Sequence, residues 1–312
     1  MNPKFLEPNF LGLPTEFSEF EKSAFVILPV PYEETTTYQK GTKHGPKAII
    51  AASQEVETFD EELKCEPYKA GIATLNPLET AAGGKESILD KVRRTIGELT
   101  GEGKRVVMLG GEHTISIGAV KAYKEKYADL SVLQLDAHAD LRDSYQQNKL
   151  SHACVMRRIA ELSHFVGVGI RNLSAEEDEF VRKSKTEIFF AQDMRNSDRW
   201  YDSDGSHRWK EQVIKKLRSD VYLTLDLDVL DPSIMPAVGT PEPGGLLWYE
   251  TLDFLKELVR LRNVVGFDVV ELCPIPGLVA PDFLAAKLIY KIIGYMVSQE
   301  RKSSKFKKKN SR

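Results

Sequence analysis

The segment Leu133-Gln134-Leu135-Asp136-Ala137-His138-Ala139-Asp140 sets acids and an imidazole at every second position of an apolar run. A later one, Leu223-Thr224-Leu225-Asp226-Leu227-Asp228-Val229, repeats the pattern. Residues two apart in an extended chain share a face, so Asp136, His138 and Asp140 are predicted to point together, as are Asp226 and Asp228. Burying several carboxylates at the end of a hydrophobic strand is costly unless a cation compensates them. Oxygen ligands with an imidazole suit Mn²⁺ and similar ions better than metals that favour thiolates. A third piece, Gly110-Gly111-Glu112-His113, follows another apolar run, and its paired glycines are read as a tight turn carrying His113 to a sheet edge. A lone His on such a turn is ordinarily structural. Beside the other two segments it completes six ligands, His113, Asp136, His138, Asp140, Asp226 and Asp228. That set suits a bridged pair of ions roughly 3.5 Å apart, as in two-metal hydrolases.

Other chemistries find less support. Neither G-x-x-x-x-G-K-[ST] nor G-x-G-x-x-G is present, which argues against a phosphate cradle. Ser116 approaches a nucleophile elbow but lacks its first glycine. His44 beside Gly45-Pro46 is read as structural, and His164 and His207 have no visible partner in the sequence.

The elements that must position these residues alternate. Short β-rich runs at Ala24–Val30, Arg105–Leu109, Ser131–Asp136, His164–Ile170, Glu187–Phe190, Val221–Asp228 and Val264–Val270 are predicted strands. Amphipathic stretches at Gly84–Gly101, Thr114–Lys126, His152–Glu161, Ala175–Lys183, Glu211–Ser219 and Trp248–Leu261 are predicted helices, with long loops at Tyr32–Pro46 and Arg195–His207. Near-continuous apolar strands alternating with helices imply an α/β fold, a mainly parallel sheet covered on both faces. Its active site belongs beyond the carboxyl ends of the strands, where these motifs fall.

The 312 residues, 42% of them hydrophobic, can bury a large core, and no linker divides them. Residues 1–300 are read as one domain and the Lys-rich 301–312 as a disordered basic tail. A formal net charge of −3 gives no basic field, so nucleic acid is not the expected partner. No run is apolar enough to span a membrane, the N-terminus has no leader-like pattern, and three cysteines without C-x-x-C spacing suit a reducing compartment. A cytoplasmic location is therefore expected.

Gly-Gly-Glu-His, Asp-Ala-His-Ala-Asp and Leu-Thr-Leu-Asp-Leu-Asp-Val-Leu-Asp-Pro, in this order, resemble the arginase/agmatinase (ureohydrolase) family. So do Gly41-Thr42-Lys43-His44-Gly45-Pro46, Ser151-His152-Ala153, Gly239-Thr240-Pro241-Glu242-Pro243-Gly244-Gly245 and Phe267-Asp268-Val269-Val270-Glu271. The likeness runs from about Phe25 to Gly294. It implies a three-layer α/β/α fold with an eight-stranded sheet, two Mn²⁺ per chain, and a homo-oligomer, trimeric or hexameric. Carried over by position, Asp136 and Asp226 would bridge the ions, His113 and Asp140 completing one and His138 and Asp228 the other. Glu271 would orient a substrate guanidinium, Asp140 relay a proton to the leaving nitrogen, and His152 exchange protons at the mouth. A site rich in carboxylates attracts a small cationic guanidino substrate and repels phosphate esters.

The resemblance also bears on the substrate. Arginases grip the amino acid's polar end with a Ser/Thr/Asn-rich loop and a later aspartate. Here Arg142 follows Asp140 by two residues where arginases have asparagine, the Ser/Thr cluster is missing, and Asn172 stands in place of the aspartate. Arg142 is the one nearby cation that could receive a carboxylate, unless an acidic neighbour such as Asp143 holds it. These departures resemble agmatinases and imply hydrolysis of agmatine to putrescine and urea, a step of polyamine biosynthesis. N1-aminopropylagmatine, 4-guanidinobutyrate and arginine remain alternatives. A metal-binding pseudoenzyme and a one-metal zinc deacetylase are the other classes to weigh; both sit poorly with six intact ligands.

Overall fold

The computed structural model describes residues 4–80, 84–184, 186–195 and 208–310, with the side chains of 84–87 and 301–310 left aside. Eight strands form one sheet: β1 (Phe25–Val30), β2 (Ile72–Thr74), β3 (Arg105–Gly110), β4 (Leu130–Leu135), β5 (His164–Ile170), β6 (Glu187–Phe190), β7 (Asp220–Asp226) and β8 (Asn263–Val270). Their order is β2-β1-β3-β8-β7-β4-β5-β6, and every neighbouring pair is parallel. Strands buried on both faces need apolar residues at every position, which is why they read as unbroken runs. Alternate residues feed two cores: Ile27, Leu109, Leu133, Leu225 and Phe267 enter one, while Leu28, Met108, Val132, Tyr222 and Val265 enter the other.

The helices are α1 (Thr15–Ser18), α2 (Gly45–Ser53), α3 (Gly84–Gly101), α4 (Ser116–Lys126), α5 (Val155–Ala160), α6 (Ala175–Ser184), α7 (Ala191–Met194), α8 (Arg208–Lys216), α9 (Trp248–Leu261) and α10 (Ala280–Asn310). Helices α8, α9 and α10 close the first core, with Trp209, Phe254 and Ile289 buried in it. Helices α3, α4 and α5 close the second through Val92, Val120 and Ile159. The fold is thus the expected α/β architecture. Five elements lie outside the predicted ones: β2, three residues long; α2, which opens at the end of the segment read as loop; the four-residue α1 and α7; and the long α10. Helix α10 runs on through Asn310 and takes in most of the segment read as a tail. The loop expected at Arg195–His207 lies, past Arg195, outside the described residues, as does His207.

Strand order is what brings the motifs together. Strands β3, β8, β7, β4 and β5 are successive neighbours. Their carboxyl ends deliver Gly110–His113, Glu271, Asp226–Asp228, Asp136–Asp140 and Arg171–Asn172 to one edge of the sheet.

Candidate metal centre and substrate cleft

The convergence of the aspartates has a different cause from strand alternation. β4 ends at Leu135 and β7 at Asp226, and Leu227–Val229 is a 3₁₀ turn. Each leading aspartate instead caps the turn that follows it: Asp136 Oδ1 accepts from His138 N at 2.6 Å, and Asp226 Oδ1 from Asp228 N at 2.9 Å. Short carboxylates readily accept from the backbone two residues on, which folds the second residue back beside the first. Asp228 Oδ1 also accepts from Ala137 N at 2.9 Å, locking the two turns together. Asp140 and Glu271 sit at φ 53° and 66°, in a left-handed region that a non-glycine residue enters only when its surroundings hold it there. The Gly-Gly pair likewise works otherwise than expected. Neither glycine has a positive φ. Gly111 is required because a Cβ there would lie 2.0 Å from the carbonyl oxygen of Tyr32.

Around His113 the packing is dense. Its Nδ1 lies 3.2 Å from Asp136, 3.3 Å from Asp140 and 3.4 Å from Asp226, yet it has no hydrogen-bond partner although fully buried. On the other side of Asp136, His138 Nδ1 lies 2.8 Å from Asp228 and 3.7 Å from Asp136. His113, Asp136 and Asp140 form one group of ligand atoms able to hold a metal ion, and Asp136, His138 and Asp228 a second; Asp136 belongs to both. The protein alone leaves these charges in conflict. Burial, then the charge of Asp136, raises Asp140 to about 7. Burial and Asp228 raise Asp226 well above the carboxylate range. Burial opposes a charged His138, but Asp228 and Asp136 outweigh it and push it up to about 12. A cation resolves all three conflicts at once, and an unpartnered imidazole nitrogen among buried carboxylates is the donor it would take.

Beneath the cluster runs a hydrogen-bonded chain absent from the sequence-based list. His113 Nε2 is 2.8 Å from Thr224 Oγ1, whose hydroxyl donates to Asp268 at 2.7 Å; Tyr222 donates to the same carboxylate at 2.6 Å. With its proton directed to Asp268, Thr224 accepts from Nε2–H. This fixes the tautomer that leaves Nδ1 free to bind a metal. Asp268 interrupts an apolar strand just as Asp226 does, and that signal could have flagged it.

Glu271 is buried beside this cluster, and its Oε1 accepts from His113 N at 2.7 Å. Burial, then the charge of Glu112, pushes it well above the carboxylate range. His152 opens a 3₁₀ turn ahead of α5, with the Tyr145 ring edge-on at 5.8 Å. Burial lowers its imidazole below the ordinary value. Both line a cleft of about 200 Å³ together with His113, His138, Asp140, Asp226 and Asp228. Its outer wall includes Thr36–Gln39, Arg142, Tyr145 and Asn172. Asp143 is not the partner of Arg142: it pairs with Arg158 at 2.8 Å and Lys149 at 3.4 Å. Arg142 instead faces Glu177 at 3.8 Å and lies over the Tyr145 ring, because Glu177 is anchored beside it by Leu141 N and Ser174 N. Asn172 donates its amide to Glu242. Behind the site, Arg171 donates to the carbonyls of Gly169, Asp228, Glu242 and Pro243, clasping β5, the Asp228 turn and the 239–245 loop together. His44 is exposed and is not among the lining residues, and His164 meets the carbonyl of Lys216.

Acidic residues and imidazoles gathered at the carboxyl edge of a parallel sheet, open to a cleft, define an α/β protein able to hold metal beside a small substrate. A family model described as the arginase family matches residues 23–294, and the chain belongs to that family. It is a ureohydrolase, a hydrolase acting on guanidino C–N bonds, in a family of binuclear metal hydrolases. The chain is 38% identical over 309 residues to the N(1)-aminopropylagmatine ureohydrolase of Synechocystis sp., covering 95% of this chain and 98% of the relative. It is 33% identical to the agmatinase of Pyrococcus horikoshii, over 91% of this chain and 95% of that one. The crystal structure of the agmatine ureohydrolase of Thermoplasma volcanium superposes with a TM-score of 0.84 at 30% identity, covering 96% and 97% of the two chains. Among the described residues no helix is long and apolar enough to cross a membrane.

Proposed function

We propose that the chain hydrolyses a guanidino compound without a carboxylate, either agmatine, to putrescine and urea, or N1-aminopropylagmatine, with two Mn²⁺ per chain. The observation that carries this reading is the state of the groups that could receive a carboxylate. Arg142, the one Lys or Arg among the described lining residues, already faces Glu177, and Asn172 already serves Glu242. The relatives named for N(1)-aminopropylagmatine favour the longer substrate at least as much as agmatine.

In this reading His113 and Asp140 would hold one ion, His138 and Asp228 the other, and Asp136 and Asp226 would serve both. Membership of Asp136 in both ligand groups supports the assignment. Bound metals would supply a water acidic enough to be deprotonated near neutral pH. Glu271 receives the guanidinium and fixes its carbon for attack. Water adds to that carbon, the bond to the alkyl nitrogen breaks, and Asp140 passes a proton to the departing amine while His152 exchanges protons with solvent. Residues 1–300 form the working domain and 301–312 a basic extension, so removing the extension should leave activity intact. A cytoplasmic homo-oligomer, trimeric or hexameric, belongs to the same reading and is open to sedimentation.

The test is kcat/KM at one pH and saturating Mn²⁺ for agmatine, N1-aminopropylagmatine, 4-guanidinobutyrate and arginine. An unpaired, partly desolvated carboxylate should cost arginine roughly 3 kcal/mol, about a hundredfold against agmatine. Equal values, or a preference for arginine, would overturn the proposal.

A further inference from the structure

Glu112, the acid of Gly-Gly-Glu-His, is fully buried and has no place in the chemistry so far. Four donors converge on it. Its Oε2 accepts from Glu34 N and Thr35 N, both at 2.6 Å, and its Oε1 from the hydroxyls of Thr35 at 2.7 Å and Thr114 at 2.6 Å. Such a set suits a carboxylate, which only accepts. Thr35 has one proton, and it is directed to Glu112. The same oxygen lies 3.1 Å from His152 Nδ1 and accepts from His152 N, also at 3.1 Å. It can therefore only accept from Nδ1, so the neutral ring carries its proton there and Nε2 is the nitrogen left for the cleft that His152 lines.

We propose that Thr35 and Glu112 are positioning residues for His152, a relay that holds the imidazole with Nδ1 protonated and Nε2 presented to the cleft. The proton exchanged with solvent is then taken up and released at Nε2, while Nδ1–H stays on Thr35 throughout. Oriented hydrogen bonding of this kind supports imidazole catalysis by fixing the tautomer rather than by moving a second proton. The inference rests on the reading of His152 as the proton carrier. It also gives the 32–37 segment a task, since Glu112 ties that segment down through its backbone at Glu34 and Thr35.

The experiment is a double-mutant cycle on the Mn²⁺-loaded enzyme, using whichever polyamine-type substrate it turns over faster, with metal content measured on every variant. Thr35→Val keeps the shape but removes the hydroxyl. It should lower kcat on the order of tenfold or more with KM little changed and metal content intact, and Thr35→Ser should restore most of the loss. In a His152→Ala background Thr35→Val should cost nothing further, because the ring it orients is gone. If the two losses multiply in full, or if Thr35→Val raises KM and Ser does not rescue it, Thr35 merely shapes the mouth and the relay is overturned while His152 keeps its role. If His152→Ala alone retains full kcat, the reading of His152 fails and the relay with it.

Discussion

The floor and the mouth of the cleft are built from different kinds of chain. The floor is a set of strand ends: His113, Asp136, Asp226, Asp228 and Glu271 each stand within three residues of a strand in the middle of the sheet, all nine-tenths or more buried. Its charges are in mutual conflict without a cation. The mouth is made of loops, Thr36–Gln39, Arg142–Tyr145 and Asn172–Leu173, and its charged groups are already paired. A buried, frustrated floor suits chemistry, whereas a rim of loops with satisfied charges can change without disturbing it. On this contrast, substitutions below should remove turnover for every substrate, and substitutions above should change the ranking of substrates.

The largest effect is expected at the shared ligand. Asp136→Asn should empty at least one metal position and abolish turnover, and chelating the wild-type protein should do the same while lowering its Tm, because buried carboxylates lose their counter-charge. Full activity in a metal-free preparation would break the contrast at its root. Next comes Glu271→Gln, expected to keep both ions but lose about 10²-fold or more in kcat/KM on every substrate alike, as charge-assisted hydrogen bonds disappear. Loss of Mn²⁺ with specific activity per metal preserved would move Glu271 from substrate to metal. Asp268→Asn touches neither. By loosening the Thr224–His113 tautomer it should weaken metal affinity by roughly 10–100-fold, readable as the Mn²⁺ concentration needed for half activity.

At the rim, Arg142→Gln should leave metal content and agmatine turnover within about threefold, a loss under roughly 1 kcal/mol. It should alter the ratio between agmatine and N1-aminopropylagmatine, since Glu177 is released from its partner. An equal change on both substrates would count against a specificity role. The smallest effect concerns Asp231, which anchors the 239–245 loop through Gly244 N and Gly245 N. Its hydrogen bond with Ser233, joined by the loop amides and opposed by burial, holds it down at about 2. A depressed carboxylate stabilises the native state above its unfolded value near 4 and loses that contribution as pH falls toward 2. Asp231→Ala should thus lower Tm by roughly 2–4 °C at pH 7 and by less at pH 3.

The floor was largely legible in the sequence and the rim was not. Carboxylates inside apolar runs announce themselves, so all six candidate ligands could be named, although the geometry behind them was misassigned: Asp228 stands on a 3₁₀ turn, not on a strand. Glu112 and Asp268 each satisfy a buried network rather than face the cleft; Asp268 carries the same signal as Asp226, a carboxylate inside an apolar strand, but Glu112, on the turn after β3, carries none. Six of the seven predicted strands lie within one residue of β1 and β3–β8 at both ends; the last ran two residues past Asp226. β2 was missed because three residues give no periodicity to read. The partner of Arg142 depends on where α6 delivers Glu177, a tertiary fact that a sequence neighbour such as Asp143 could not reveal.

The distance in sequence between the groups that meet at the floor has a kinetic consequence. His113 N and Glu271 Oε1, in direct contact, are 158 residues apart, and the candidate ligands between them meet through the pairing of β3 with β8 and of β4 with β7, strands that are not consecutive in the chain. Contacts this non-local form late, after the chain entropy of closing long loops has been overcome. The binding site is therefore expected to form only after the early, local structure, so an ion should find nothing to grip until the central strands have assembled. Metal should act as a latch on the finished molecule, slowing its unfolding while leaving its rate of folding almost untouched.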